Sequence, residues 1–230
     1  MSRSIGTDLG LRIDHTILRP EATAADVLRV CDEAVRYGFR VVFVPPCYAE
    51  DACKALAGTG VYVGIPVGFP LGGHTTTAKV HEAVDGVSRG ATILDMVINV
   101  SRLKSGDYDR VRTDIAEVVA ATPDAEHKVI LETCYLTREE KVIACRLVLE
   151  AGAEYVKTST GFGAGGATVE DVALLKHAVG GRAKVKASGG IRDLKTVVAM
   201  LEAGADRIGT SASVPIMEEW SRRRPLEESP

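Results

Sequence analysis

The chain has 230 residues, 46% of them hydrophobic and 26% charged, with a net charge of −3. A balance this close to neutral gives no electrostatic case for nucleic acid or an acidic membrane surface, and no stretch reaches the roughly 18 uninterrupted apolar residues of a membrane span. The cysteines Cys31, Cys47, Cys53, Cys134 and Cys145 form no CxxC pair, and Met1 to Gly6 lack the apolar run of a leader peptide, so reduced thiols in a cytoplasmic protein are expected.

In chain order, short apolar runs alternate with amphipathic stretches. Residues 11–16 are expected to form a first strand carrying Asp14 and His15. Residues 24–37 then place Val27, Val30, Cys31, Ala34 and Val35 on one side of a helix that stops at Gly38. The β-branched residues 40–44 end at Pro45-Pro46, and residues 61–67 lead into Gly68-Phe69-Pro70-Leu71-Gly72-Gly73. A helix over 77–89 stops at Gly90, and a strand over 92–100 carries Asp95 and Asn99. Further strands are expected over 128–132, 155–158, 184–187 and 207–209, separated by helices over 107–121, 137–151, 169–179 and 193–203. Gly90-Ala91, Gly152-Ala153 and Gly204-Ala205 suit left-handed caps set just before a strand.

Such runs are parallel strands covered on both faces. Strand–helix alternation repeated about eight times without a linker predicts an α/β fold, a single-domain (β/α)8 barrel with a core over about 11–217. The Arg222-Arg223-Arg224 cluster near Glu227 and Glu228 is expected to be a solvated tail. An open doubly wound sheet is the competing arrangement, disfavoured because no Gly-x-Gly-x-x-Gly follows the first strand.

In such a barrel, reacting groups come from the C-terminal ends of strands. The stretch Glu154-Tyr155-Val156-Lys157-Thr158-Ser159-Thr160-Gly161 places Lys157 near the end of the sixth strand, on the face of Tyr155. On the seventh strand Lys184 and Lys186 share a face by the two-residue period, with Lys186 nearer the C-terminal end and Lys184 toward the opposite mouth. On the fourth, Asp95 shares a face with Ile93, Val97 and Asn99. Two inward lysines on adjacent strands disfavour each other's protonation, and burial acts in the same direction. An inward carboxylate keeps the second lysine charged and relays protons. One neutral amine, one cation and one acid/base are the parts of imine chemistry; a buried Lys–Asp ion pair without catalysis is the plainer alternative.

A second signal is an anion site. Ser188-Gly189-Gly190-Ile191-Arg192 follows strand seven and Gly209-Thr210-Ser211-Ala212 follows strand eight, where barrel enzymes hold phosphate on backbone N–H groups. Gly161 is placed to add another N–H. His15, His74, His81, His127 and His177 show no ligand spacing, so no metal is expected. Cys134 has no evident partner base and is expected to pack or line the mouth. Asp14 is placed to line the pocket and bond a substrate hydroxyl, while Asn99 near the same mouth has no assigned role.

Ile13-Asp14-His15-Thr16, Gly68-Phe69-Pro70-Leu71-Gly72, Leu94-Asp95-Met96-Val97-Ile98-Asn99, Val129-Ile130-Leu131-Glu132-Thr133, Val156-Lys157-Thr158-Ser159-Thr160-Gly161-Phe162 and Val185-Lys186-Ala187-Ser188-Gly189-Gly190-Ile191-Arg192 together resemble the deoxyribose-phosphate aldolase family, in order over about residues 11–217. The resemblance implies a class I aldolase that reversibly cleaves 2-deoxy-D-ribose 5-phosphate to acetaldehyde and D-glyceraldehyde 3-phosphate in deoxyribose phosphate catabolism. It implies that Lys157 forms the Schiff base, that Lys186 depresses its pKa, and that Asp95 joins Lys186 in proton transfer. Gly161, Gly189, Gly190 and Ser211 match the phosphate-binding positions, with Asp14 and Thr158 counted among the substrate-binding residues. No metal or organic cofactor is implied, since a protonated imine is its own electron sink. The partners implied are phosphosugar and aldehyde substrates, with neither nucleic acid nor membrane, and a homodimer is an open expectation. Where many members read Val-Cys-Val-Asn-Pro, this chain has Val42-Phe43-Val44-Pro45-Pro46, which bears on aldehyde sensitivity and acceptor preference. The stretch from Trp220 to Pro230 lacks the terminal tyrosine that some members use in proton transfer.

Overall fold

Val41, Val42 and Phe43, like Ile93 through Val97, are buried along their whole length, as strands must be when helices cover one face and a closed interior the other. The computed structural model describes residues 9–223. In it β1 (Ile13–Thr16), β2 (Val41–Phe43), β3 (Tyr62–Val67), β4 (Ile93–Val97), β5 (Glu126–Ile130), β6 (Tyr155–Lys157), β7 (Lys184–Ser188) and β8 (Arg207–Thr210) run parallel and close in chain order, β8 pairing with β1. The helices are α1 (Leu9–Arg12), α2 (Ala24–Tyr37), α3 (Ala49–Ala55), α4 (Thr76–Ser88), α5 (Val100–Lys104), α6 (Tyr108–Ala121), α7 (Arg138–Ala151), α8 (Val169–Val179), α9 (Leu194–Glu202) and α10 (Ser213–Arg223). The segment before residue 9, on which the expectation of no leader rests, and the tail beyond residue 223 lie outside the described residues. No helix among the described residues is long and apolar enough to cross a membrane.

Local chemistry sets the helix ends. Thr23 and Asp26 form a reciprocal capping box at the start of α2, and Thr137 and Glu140 do the same for α7. Gly152 closes α7 at φ 87°, a conformation that costs a residue with a Cβ but not glycine.

Several boundaries differ from expectation. Residues 11 and 12 belong to α1, where Arg12 donates to the carbonyls of Ala205 and Asp206 at 2.9 and 3.3 Å. β4 stops at Val97 because Asn99, left without a role above, caps α5 by accepting from the Arg102 N–H at 3.1 Å. β5 begins two residues earlier than expected, at Glu126. Arg222 and Arg223 are exposed, as expected, but lie in α10, where Arg223 pairs with Glu219 at 2.5 Å.

The apolar core lies mainly between barrel and helices, where Val42, Leu94, Val156 and Val185 meet residues such as Val27, Ile115, Val148 and Leu175. Inside the barrel the apolar part is a separate small cluster of Val41, Phe43 and Ile93. That interior also carries charge: Asp14, Asp95, Lys128, Lys157, Lys186 and Arg207 are all buried. A buried charge is tolerated only when paired, and the pairing here builds the site.

Candidate active site

Lys157, the last residue of β6, is the register partner of Lys186 in the middle of β7. Their ammonium groups converge on one atom, Asp95 Oδ2, at 2.6 and 2.7 Å. Asp95 is held on β4 beside Pro66 of β3 and Lys128 of β5. Lys186 Nζ also lies 2.7 Å from Asp14 Oδ2 as an ion pair, and Asp14 Oδ1 accepts from Arg207 Nε at 2.9 Å. Lys128, fully buried, pairs with Glu126 toward the other end of β5. The expected trio is therefore assembled, inside a larger network of alternating charge.

The surroundings tune the groups differently. Burial pushes the Lys157 amine down to about 8; Asp95 opposes this and Lys186 reinforces it. Of the two effects expected from the sequence, burial and the neighbouring lysine, burial is the larger. At about 8, roughly a tenth of the amine is neutral at pH 7, far more than for an ordinary lysine. Burial alone would raise the Asp95 carboxyl, yet Lys157, Lys186 and Lys128 together hold it below the usual carboxylate range. Asp14 likewise resists burial through Lys186, Lys128 and Arg207.

A cavity of about 460 Å³ opens above these groups, lined by Lys157, Gly161, Gly189, Gly190 and Ser211. Gly161, Gly189 and Gly190 take φ of 86°, 89° and 77°, left-handed values that turn successive backbone groups into a hollow. The loops meet backbone to backbone, since a Cβ on Gly166 would fall 2.3 Å from the Gly189 carbonyl oxygen. Ser211 lies just before the N-terminus of α10, whose dipole favours an anion.

Two expected site residues lie elsewhere. Asp14 is completely buried below the cavity, paired with Lys186 and Arg207, and does not line it. Thr158 is also fully buried; its hydroxyl donates to the Ser188 carbonyl and accepts from the Ser188 N–H, both at 3.0 Å, stitching β6 to β7. Of the hydroxyl-bearing residues in this stretch it is Thr160, two residues on, that lines the cavity.

The sequence reading also missed Glu132, which adopts φ 53°, unusual for a residue with a side chain. Its buried carboxylate accepts from the Thr160 N–H at 3.2 Å and from the Thr160 hydroxyl, holding the loop that follows Lys157. The misfit of Glu132 with its backbone conformation has no signature in the chain. Lys128 had one: it shares a strand face with Ile130 at the two-residue period. His15, Phe162 and Arg192 line the cavity as well, and Lys184, as expected, is exposed toward the opposite mouth. Cys134 is exposed. Among the described residues no group of three or more His, Cys, Asp and Glu side chains is disposed to hold a metal.

Comparisons with known proteins agree on one family. The family model of the DeoC/LacD family aldolases matches residues 9–214. A deoxyribose-phosphate aldolase of Thermoanaerobacter sp. (strain X514) is 56% identical over 213 residues, covering 91% of this chain and 96% of its own. One of Thermococcus gammatolerans is 53% identical over 218 residues, covering 93% and 97%. Among solved structures, a deoxyribose phosphate aldolase from Aeropyrum pernix, described as having a unique tetrameric structure, superposes with a TM-score of 0.88 at 35% identity, covering 93% of this chain and 91% of that one.

Proposed function

The chain belongs to the DeoC/LacD aldolase family, and on that premise we propose that it cleaves 2-deoxy-D-ribose 5-phosphate to acetaldehyde and D-glyceraldehyde 3-phosphate through an imine on Lys157. The neutral Lys157 amine adds to the C1 aldehyde carbon, and loss of water leaves a protonated imine. Removal of the C3 hydroxyl proton breaks the C2–C3 bond, and its electron pair runs into the imine to give an enamine. Glyceraldehyde 3-phosphate leaves; protonation at C2 and hydrolysis then free acetaldehyde and the amine. Asp95 and Lys186 move the protons, sharing the oxygen that also touches Lys157. Gly161, Gly189, Gly190 and Ser211 hold the phosphate. Asp14 acts from below by fixing Lys186, and Thr158 by fixing the ends of β6 and β7. The chemistry needs no metal or organic cofactor.

One observation carries the assignment of Lys157: of the three lysines buried inside the barrel, Lys157 lines the cavity while Lys128 and Lys186 do not. Borohydride reduction in the presence of substrate, followed by peptide mass mapping, is expected to place the adduct on Lys157. Lys157→Ala is expected to lose at least about a thousandfold in kcat; full turnover by that variant, with no adduct anywhere, would sink the assignment. We also place the protein in the cytoplasm, in keeping with its unpaired cysteines, and propose a homodimer. The exposed Leu28 and Val35, seven residues apart on α2, support self-association; a monomer mass by light scattering would refute it.

A further inference from the structure

We propose that Phe43 is a positioning residue for the imine chemistry: its ring is the floor of the lysine pair, fixing Lys186 against its face and leaving Lys157 free to turn to the cavity. The proposal rests on Lys157 being the imine-forming lysine. It begins with an asymmetry between two lysines that are register partners. Lys186 Nζ is held from three sides, by Asp95 Oδ2 at 2.7 Å, Asp14 Oδ2 at 2.7 Å and the Phe43 ring centroid at 3.7 Å. Lys157 Nζ has Asp95 Oδ2 at 2.6 Å but lies 5.7 Å from the same ring. An ammonium is drawn to a ring face most strongly when close and out of water. Both conditions hold for Lys186, since Phe43 is 1% exposed and Lys186 likewise 1%.

The barrel is shaped to admit this contact. Gly64, the register partner of Phe43 on β3, leaves the space that the ring fills: a Cβ there would come within 2.6 Å of the ring carbons. On β8, Gly209 leaves room for the lysine, because a Cβ would fall 2.9 Å from Lys186 Cε. Two missing side chains on different strands thus make way for the two groups that touch. The ring also shares its small interior cluster with Val41 and Ile93, so the lysine pair rests on an apolar floor. That floor keeps water from below, and burial is the leading reason that Lys157 holds its proton weakly.

The charged groups facing the pair are Asp14 on β1, Asp95 on β4, Lys128 with its partner Glu126 on β5, and Arg207 on β8. Weakening the hold on Lys186 changes this field in one direction. Water enters from below, and Asp95 is released from its second cation toward Lys157; both favour the charged form of Lys157. Imine formation, which needs the neutral amine, is therefore displaced to higher pH.

Two substitutions test this in the full chain. Phe43→Leu keeps an apolar side chain and removes the ring face. Replacement of Phe43 by 3,4,5-trifluorophenylalanine keeps the ring's outline and drains its face of charge, so it decides the matter if the leucine variant folds poorly. The rate of the borohydride-trapped adduct on Lys157 is followed across the pH range in which that lysine titrates. The midpoint is expected to move up by about one pH unit, slowing imine formation roughly tenfold at neutral pH, with kcat reduced and KM nearly unchanged. Midpoints that coincide with the unsubstituted protein's in every variant that folds, or that move down, would overturn the proposal. An unsubstituted protein that forms no adduct on Lys157 would instead overturn the reading on which it rests.

Discussion

At the scale of single residues the site works by unequal burial and unequal company. Lys157 reaches the cavity and is pushed down to about 8 mainly by lost hydration. This has a consequence for stability. Between pH 8 and the ordinary lysine value of 10.5, the unfolded chain keeps a proton on Lys157 that the folded protein has released. Stability gains from Lys157 as pH rises through that window, and the cost of burial is felt in full below it. Lys157→Met removes this contribution. Its stability relative to the unsubstituted protein, measured by urea unfolding, is expected to be most favourable below pH 8 and to decline toward 10.5. A constant difference across the window would contradict the depressed value. Lys157 was legible from the sequence because a lysine in a short β-prone run is unusual. Asp14 and Thr158 were misplaced because side-chain type does not say whether a group ends in a cavity or in a neighbour's hydrogen bond.

At the scale of elements, α4 and α6 brace the strand that carries Asp95. Lys79 on α4 is fully buried; its ammonium donates to the Val97 carbonyl at the end of β4 at 2.9 Å and to Asp114 on α6 at 2.6 Å. Thr76 donates to the other Asp114 oxygen at 2.9 Å. The Lys79 stem crosses Gly68, where a Cβ would lie 2.9 Å from Lys79 Cε. Asp114→Ala strands a buried ammonium and is expected to cost about 3–5 kcal/mol in urea unfolding, whereas Lys79→Met combined with Asp114→Leu is expected to recover most of that loss. Equal losses in the single and double variants would show that the ion pair is not the source. The long helices were readable from their apolar period and glycine stops. The short α3 and α5 were not: α5 depends on an asparagine cap and α3 has no side-chain cap at all, so neither leaves a periodic stretch long enough to read.

At the scale of the whole molecule the barrel separates two chemistries. Its outer face is welded to the helices by apolar packing, while its interior holds a chain of paired charges that ends beneath the cavity. Phosphate in the proposed cradle at one end of the closed barrel would bind only the folded state and so stabilise all of it. Inorganic phosphate at about a hundredfold its Kd is expected to add about 2.7 kcal/mol, seen as a rise in Tm. Ser211→Asp places a carboxylate at an exposed position of the cradle and is expected to abolish that rise while leaving borohydride trapping of acetaldehyde on Lys157 intact. A phosphate-induced rise of the same size in that variant would move the anion site elsewhere.

The order of the strands and of the long helices, the barrel and the choice of the two lysines followed from the chain alone, because period, glycine stops and residue type are local properties that one strand or helix expresses by itself. Asp95 was expected beside those lysines, but the individual contacts were not. That Asp95 Oδ2 serves both, that Asp14 braces Lys186 from below, and that Phe43 lies where Gly64 leaves room depend on strands far apart in sequence closing at one register. Tertiary structure alone decides which buried amine faces the cavity, because burial and the sum of nearby charges are set by the closed barrel and not by any stretch of it.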